Sequence, residues 1–378
     1  MHSLDYTLTN NLITHHEIFM QQLTAQFSIY YSQFLNEKGE LTQPLPDFAQ
    51  DPSVLVPLYE MMVLTRAFDS KATMLQRTGK LGTYPSSYGQ EAISVAIGSA
   101  MQPTDVFAGY YREYGAHFQR GVKMEEILLY WGGDEQGSNF AECKEDFPHC
   151  VPIATQVLHA TGIATAMKLR KQPRCAVTIC GDGATSEGDF YEAINLAGVW
   201  KLPIVYLINN NQWAISVPLK LQTACQTLAQ KGIAAGIPGE QVDGNDIIAV
   251  RAALDKALDR ARRGEGPSLI EALTYRLGDH TTADDARRYR DENEVNSAKQ
   301  KEPIKRLQKF LVAQNLWDEV KEKNLLTHCQ QQVEKAVQAY ENRPHSSVSE
   351  MFDYMYAQLP NELAEQREIA LAYSKENK

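Results

Sequence analysis

The sequence predicts an α/β protein built on a parallel sheet with helices on both faces. Three observations predict it. Strand-length apolar runs occur at residues 176–180 (AVTIC), 203–208 (PIVYLI) and 268–273 (SLIEAL); helix-length segments precede or join them at 187–200 and 247–262; and a glycine-rich turn closes the first run. Short apolar runs bounded by glycine read as buried strands. A strand–helix–strand crossover brings the chain back in the same direction, so neighbouring strands are parallel and the helices cover the sheet.

In chain order, residues 13–31 mix polar and apolar side chains at helical spacing, and 36–46 (NEKGELTQPLP) read as a turn-rich connector. Together residues 1–50 make an N-terminal arm. Between 52 and 78, Leu55, Leu58, Met62, Leu64 and Phe68 recur near i, i+3 and i+4, the pattern of one amphipathic helix. The sheet-forming domain is expected over 51–300. Beyond Lys301 the chain turns helical and charged, so 301–378 is expected to pack on that domain as a helical region.

Composition narrows the function. With 43% hydrophobic and 22% charged residues the chain is of ordinary globular type, and a net charge of -10 excludes a surface built to displace counterions from nucleic acid. No apolar run approaches the roughly 20 residues needed to cross a bilayer. Lys38 is the single basic residue among the first fifty, which fits neither a secretory signal nor a transit peptide, so the expected location is cytoplasmic. Six scattered cysteines are expected to be reduced; Cys143, His149 and Cys150 lie close together but lack a second ligand pair at zinc-finger spacing.

The chemistry lies in Cys180-Gly-Asp-Gly-Ala-Thr-Ser-Glu-Gly188, where the first strand ends. In open sheets of this class ligands sit outside the carboxyl ends of the strands. Gly181 and Gly183 let the backbone approach a phosphate, and the amides opening the next helix supply donors and partial positive charge. A carboxylate, Asp182, belongs in such a place only with a cation between it and the phosphate, most simply Mg2+. The next strand ends in Asn209-Asn210-Asn211-Gln-Trp213, with Asn211 twenty-nine positions past Asp182, about what a helix and a strand consume. An amide oxygen and a backbone carbonyl there complete an oxygen set. Taken alone, an Asn cluster is usually a turn. The glycine turn is neither a full G-x-G-x-x-G, since Ser186 takes the third glycine's place, nor a Walker loop, since no Lys-Ser or Lys-Thr follows it.

Gly181-Asp182-Gly183 followed by Asn210-Asn211 resembles the thiamin diphosphate motif. The surrounding GDFYEAINLAGVWKLPIVYLINNNQWAIS resembles the alpha subunits of the first component of 2-oxo acid dehydrogenase complexes. LNEKGE, TGKLGTY, YGQEA, YYREYG, VDGND, GPSLIEALTYR, GDHTTADDARRYR and LPNELAEQREIA extend the likeness to bacterial members over about residues 35 to 370. The resemblance implies that Asp182, the side chain of Asn211 and the carbonyl of Trp213 bind Mg2+, and that Gly183 and Ala184 meet the diphosphate of thiamin diphosphate through their amides. It implies that Tyr111 and Arg112 contact the diphosphate, and that Val151 and Ile153 hold the aminopyrimidine by main-chain groups. His280 is implied to contact the diphosphate and to assist reaction with a lipoyl acceptor; an imidazole titrating near neutral pH suits both tasks. The charged run 284–294 is expected to be a mobile loop that orders over the cofactor.

The resemblance also marks an absence. Thiamin chemistry needs a glutamate on the aminopyrimidine, and no second parallel domain is present to carry one; Glu91, in YGQEA, reads better as packing. The missing glutamate is implied to come from a beta subunit in an alpha2beta2 heterotetramer that serves a lipoyl-bearing acyltransferase core. The implied substrate is a small 2-oxo acid, pyruvate, with the branched-chain acids as the alternative: Ser87-Tyr88-Gly89 and VDGND lean to the latter, GQEA and the tail to the former. Pro85 stands where one pyruvate subgroup has His, and Thr281 where regulated animal enzymes have a phosphorylated Ser, so neither role carries over. A nicotinamide-dependent oxidoreductase, the alternative from another class, would have an acidic residue about 20 positions past the glycine turn, where this chain has Lys201-Leu-Pro.

Overall fold

Residues 204–208 are apolar without a break because the strand they form is buried on both faces. The computed structural model describes residues 22–344 and 346–376. In chain order the strands are β1 (Tyr31–Ser32), β2 (Val106–Ala108), β3 (Ala176–Gly181), β4 (Ile204–Asn210), β5 (Trp213–Ala214), β6 (Val217–Pro218), β7 (Gly239–Asp243) and β8 (Ser268–Leu273). Among the described residues six of them form one sheet in the order β1-β7-β8-β4-β3-β2, every pairing parallel, while β5 and β6 make a separate antiparallel hairpin.

Alternation along the strands sorts side chains into two cores. Val177, Ile179, Val205 and Leu207 face one layer with Ile93 and Ile97 of the helix Glu91–Ala100 and Ile248, Leu254 and Leu258 of the helix Ile247–Arg262. Ala176, Cys180, Ile204, Tyr206 and Ile208 face the other, with Val157 and Ala160 of the helix Thr155–Leu169 and Phe190 and Ile194 of the helix Gly188–Trp200. The period-2 pleat thus buries every position, apolar over 176–180 and 204–208 apart from Thr178, whose hydroxyl donates to Ala108 O at 2.8 Å, which is why both strands read as nearly continuous apolar runs. The expected α/β architecture with helices on both faces is the one observed.

The amphipathic segment at 52–78 becomes a 3-10 turn, Pro52–Leu55, and the helix Val56–Arg77. Against it pack the later helices Pro303–Ala313 and Glu319–Glu341. The N-terminal arm departs from expectation. Residues 22–30 are not helical, and 13–21 lie outside the described residues. Instead β1 joins the sheet edge beside β7. The buried carboxylate of Asp246 accounts for this: it caps the helix Ile247–Arg262 through Ile248 N at 3.0 Å and accepts from Phe34 N at 2.6 Å and Leu35 N at 2.8 Å. Charge-assisted tertiary bonds of this kind outweigh weak local helical spacing.

Candidate active site

β3 and β4 are in register with Gly181 opposite Asn209, so Asp182 and Asn211 leave adjacent strand ends. The glycine at 183 is required by a close approach: a Cβ there would lie 2.7 Å from the Cβ of Ala214 on the β5–β6 hairpin. The hairpin turns at Ile215, whose φ of 52° is strained for a β-branched residue. On the opposite wall Ala154, also left-handed at φ 64°, opens the helix Thr155–Leu169. Such strain is held only where surrounding contacts over-determine the backbone, as they do at ligand sites.

These elements enclose a cavity of about 230 Å³. Tyr111, Arg112, Val151, Ile153, Asp182, Gly183, Ala184, Asn211, Trp213 and His280, all singled out from the sequence, line it together. It is smaller than the roughly 300–1,000 Å³ of a typical closed small-molecule pocket, as suits a site that grips one end of a cofactor. A wider groove of about 980 Å³ runs beside the helices Val56–Arg77 and Glu319–Glu341, but its polar lining residues, among them Glu60, Lys321 and His328, are exposed and form no convergent set.

Charge distinguishes the cavity. Arg112 is buried; its Nη1 donates to Ser86 O at 2.6 Å and its Nη2 to His280 O at 2.7 Å. Arg276, also buried, donates to the carbonyls of Trp213 at 3.2 Å and Ile215 at 2.8 Å. Among the described residues neither guanidinium has a carboxylate ion-pair partner. Burying an unpaired charge costs several kcal/mol, a cost that an anion in the cavity would offset. Asp182 is the opposite case, a buried carboxyl whose pKa is raised by burial against the lowering effect of a 2.8 Å bond from Gln222 Nε2. A divalent cation would reverse that direction.

The donor set fits magnesium better than a soft metal. One carboxylate, one amide oxygen and one backbone carbonyl are offered, to be completed by phosphate and water oxygens, as Mg2+ prefers. Among the described residues no cluster of three His, Cys, Asp or Glu is arranged to hold an ion. His149 lies instead among rings, 4.6 Å from His117 and 5.1 Å from Tyr130 between centroids.

His280 corrects an expectation. Its Nδ1 lies 3.1 Å from Arg112 Nη2 and 3.3 Å from Arg276 Nη1. Arginine only donates, so Nδ1 is the acceptor and the ring proton sits on Nε2. Burial and the two guanidiniums push its pKa down to about 3, so in this state the ring is neutral and does not titrate near pH 7. The run 284–294 makes several bonds to the neighbouring backbone. Asp284 accepts from His280 N at 2.9 Å and from the Tyr289 hydroxyl, and Arg290 donates to the carbonyls of Arg276 and Gly278. Asp285 pairs with Arg287, while Arg288 and Glu292 are exposed.

Glu91 points away from the cavity. Its carboxylate pairs with Arg66, which stacks over Tyr88 and reaches Glu302 at 3.0 Å. Sequence reasoning missed Gln90, Gln222 and Arg276. Arg276 had a signal, standing four residues before His280; the glutamines act across 121 and 40 residues of sequence and had none.

Comparison with known proteins places these features in a family. Residues 59–349 match the sequence profile described as "Dehydrogenase E1 component". The chain is 38% identical over 344 residues to the pyruvate dehydrogenase E1 component subunit alpha of Mycoplasma genitalium, covering 91% of this chain and 96% of that one. It is 40% identical over 340 residues to the subunit of the same name from Staphylococcus aureus, covering 89% and 91%. It is 42% identical over 311 residues to the 3-methyl-2-oxobutanoate dehydrogenase subunit alpha of Mycobacterium tuberculosis, covering 82% and 85%.

Proposed function

The chain belongs to the dehydrogenase E1 component family, and from that premise we propose that it is the alpha subunit of a pyruvate dehydrogenase, active with a beta subunit. The reaction is oxidative decarboxylation of pyruvate with reductive acetylation of a lipoyl group on an acyltransferase core. The family implies thiamin diphosphate. When bound, thiamin diphosphate supplies the nucleophilic carbon and the electron sink for decarboxylation.

The observation that carries the reading is the charge pattern of one cavity: a buried carboxyl at a strand end beside a buried guanidinium that has no carboxylate partner. Asp182, Asn211 and the Trp213 carbonyl hold Mg2+; Gly183 and Ala184 present amides, and Tyr111 and Arg112 an aromatic ring and a cationic fork, to the diphosphate. His280 offers its Nε2–H to the same anion, whose charge raises the imidazole pKa again and makes proton transfer to the lipoyl acceptor accessible. Val151 and Ile153 hold the aminopyrimidine with their main chain. Residues 51–300 constitute the cofactor-binding domain, with 1–50 as its arm and 301–378 packed on it.

The rim supports a missing partner. Val151, Ile153 and Ile215 are 47%, 50% and 55% exposed at the cavity mouth. The helix Gly188–Trp200, which leaves the glycine turn, carries Tyr191, Leu196, Val199 and Trp200 outward. Apolar exposure of this kind marks an interaction surface, here for the beta subunit that brings the activating glutamate, in an alpha2beta2 assembly. Among the described residues no helix is long and apolar enough to cross a membrane, and we place the complex in the cytoplasm. The Mycobacterium tuberculosis relative favours a second reading, branched-chain 2-oxo acids.

A 2-oxo acid panel on the chain co-expressed with its beta-type partner tests substrate and partnership together. Pyruvate is expected to give the highest kcat/KM; preference for 3-methyl-2-oxobutanoate selects the second reading, and full activity of the isolated chain removes the two-subunit one. Calorimetric titration with thiamin diphosphate and Mg2+, with NAD as control, tests the cofactor.

A further inference from the structure

Gln90 is buried at the end of the loop that precedes the helix Glu91–Ala100, behind the strand ends. Its Oε1 accepts from Asn209 Nδ2 and from Asn211 Nδ2, each at 3.1 Å, and Asn209 Nδ2 also donates to the Tyr110 hydroxyl at 3.1 Å. An asparagine amide has two ends of nearly the same shape, an oxygen that binds a cation and an NH2 that cannot. In Asn211 the NH2 is committed to Gln90, while Oδ1 receives a single long bond, 3.3 Å from Trp213 N within its own turn.

We propose that Gln90 is a positioning residue that fixes the Asn211 amide with its oxygen toward the cation site. The inference rests on the magnesium reading above. If Asn211 alone were turned over, its Oδ1 would face Gln90 Oε1, two acceptors without a proton between them, and the NH2 would face the cavity. Turning Gln90 as well would set its Nε2 against the Asn209 NH2, and only turning all three amides together would restore the pairing, so the orientation of Asn211 is locked to that of Gln90 and Asn209. The fixed geometry required of a metal ligand is thus supplied from a loop residue far in sequence from both the phosphate turn and the hairpin.

The test is calorimetric titration of Mg2+ into the complex of the full chain with its partner subunit, at saturating thiamin diphosphate. Gln90→Met removes the acceptor and is expected to weaken Mg2+ binding by about 10- to 100-fold, the usual effect of losing a group that orients a metal ligand. Gln90→Glu has only acceptor oxygens to offer the two asparagines and is expected to retain binding near the wild-type value. With Asn211→Asp both ends of residue 211 are oxygens, and the loss caused by Gln90→Met should disappear. Wild-type affinity in Gln90→Met, equal weakening in Gln90→Glu, or persistence of the loss in the Asn211→Asp background overturns the inference. A wild-type complex that binds no Mg2+ with the cofactor overturns the reading it rests on. If Gln90→Met does not fold, Gln90→Ala removes the acceptor with less demand on packing.

Discussion

The inner wall and the rim of the cavity are built on opposite terms. On the wall, Asp182, Arg112, Asn211 and His280 are each held by named donors or acceptors, and the first three are buried to within a few per cent. At the rim, Val151, Ile153 and Ile215 stand about half exposed, two of them beside left-handed backbone. On the proposed reading the wall is preorganised for an anion and a cation, so little reorganisation opposes binding. The rim is shaped but uncovered. On that reading the chain carries one prepared half of a site, and the contrast defines how each half should respond to mutation.

The largest effect is expected on the wall. Asp182→Asn keeps the shape and the bond from Gln222 but removes the charge that a cation needs. The kcat/KM of the complex is expected to fall on the order of 100- to 1,000-fold, as for loss of a preorganised electrostatic group. Calorimetry should show lost Mg2+ uptake rather than lost assembly. Normal Mg2+ binding in this variant would move the cation elsewhere. Arg112→Lys comes next. Lysine cannot hold Ser86 O and His280 O with two arms of one plane while still facing the cavity. Loss of a charged hydrogen bond costs about 1.5–3 kcal/mol, so thiamin diphosphate affinity should drop about 10- to 100-fold. An unchanged affinity would make Arg112 a purely structural tie.

How much of this was legible in the sequence depended on burial and range. β3, β4 and β8 could be read because both faces are buried and their runs are mostly apolar, the polar Thr178 and Glu271 inside β3 and β8 being buried and hydrogen-bonded to Ala108 O and to Asn210 Nδ2 and Ala229 N; β8 was bounded at 268–273 by sequence and by structure alike. β2 and β1 were missed, being three and two residues long, and so was β7, whose GEQVD shows no apolar run. β7 is in the sheet because its backbone pairs with β8 on one side and β1 on the other. At the site, Asp182 and Asn211 were legible because crossover length fixes their spacing. Gln90 and Gln222 act through side-chain bonds across the fold, and a single sequence carries no trace of those; Arg276 left only its place four residues before His280. The depressed titration of His280 was hidden for the same reason, since it comes from burial and from two arginines that only the folded chain assembles.

The rim is tested through the partner. Val199 is 71% and Trp200 45% exposed on the helix that begins at the phosphate turn. Val199→Asp or Trp200→Ala is expected to weaken association with the beta subunit by about 2 kcal/mol or more if these residues anchor the interface. Size-exclusion chromatography with light scattering would detect the dissociation, and added partner at high concentration should restore activity. Intact assembly in both variants would shift the interface to another face.

The smallest effect separates wall from rim by pH alone. The folded chain keeps His280 neutral down to about pH 3, whereas the unfolded chain protonates it near its ordinary 6.5. As pH falls through that interval the unfolded state binds more protons than the folded one, so the stability associated with this group is complete above about pH 6.5 and is lost toward pH 3. His117 and His149, buried with their pKa values lowered, add to the same slope. His280→Gln keeps an acceptor for Arg112 and Arg276 but cannot take a proton. It should therefore flatten part of the decline in urea midpoint between pH 7 and pH 5 without abolishing it. Saturating thiamin diphosphate and Mg2+ should flatten the wild-type decline further, because the diphosphate charge opposes the two arginines and lifts the folded pKa toward the unfolded one. If His280→Gln leaves the decline unchanged, the guanidiniums do not hold the ring neutral, and the preorganised wall loses one of its members.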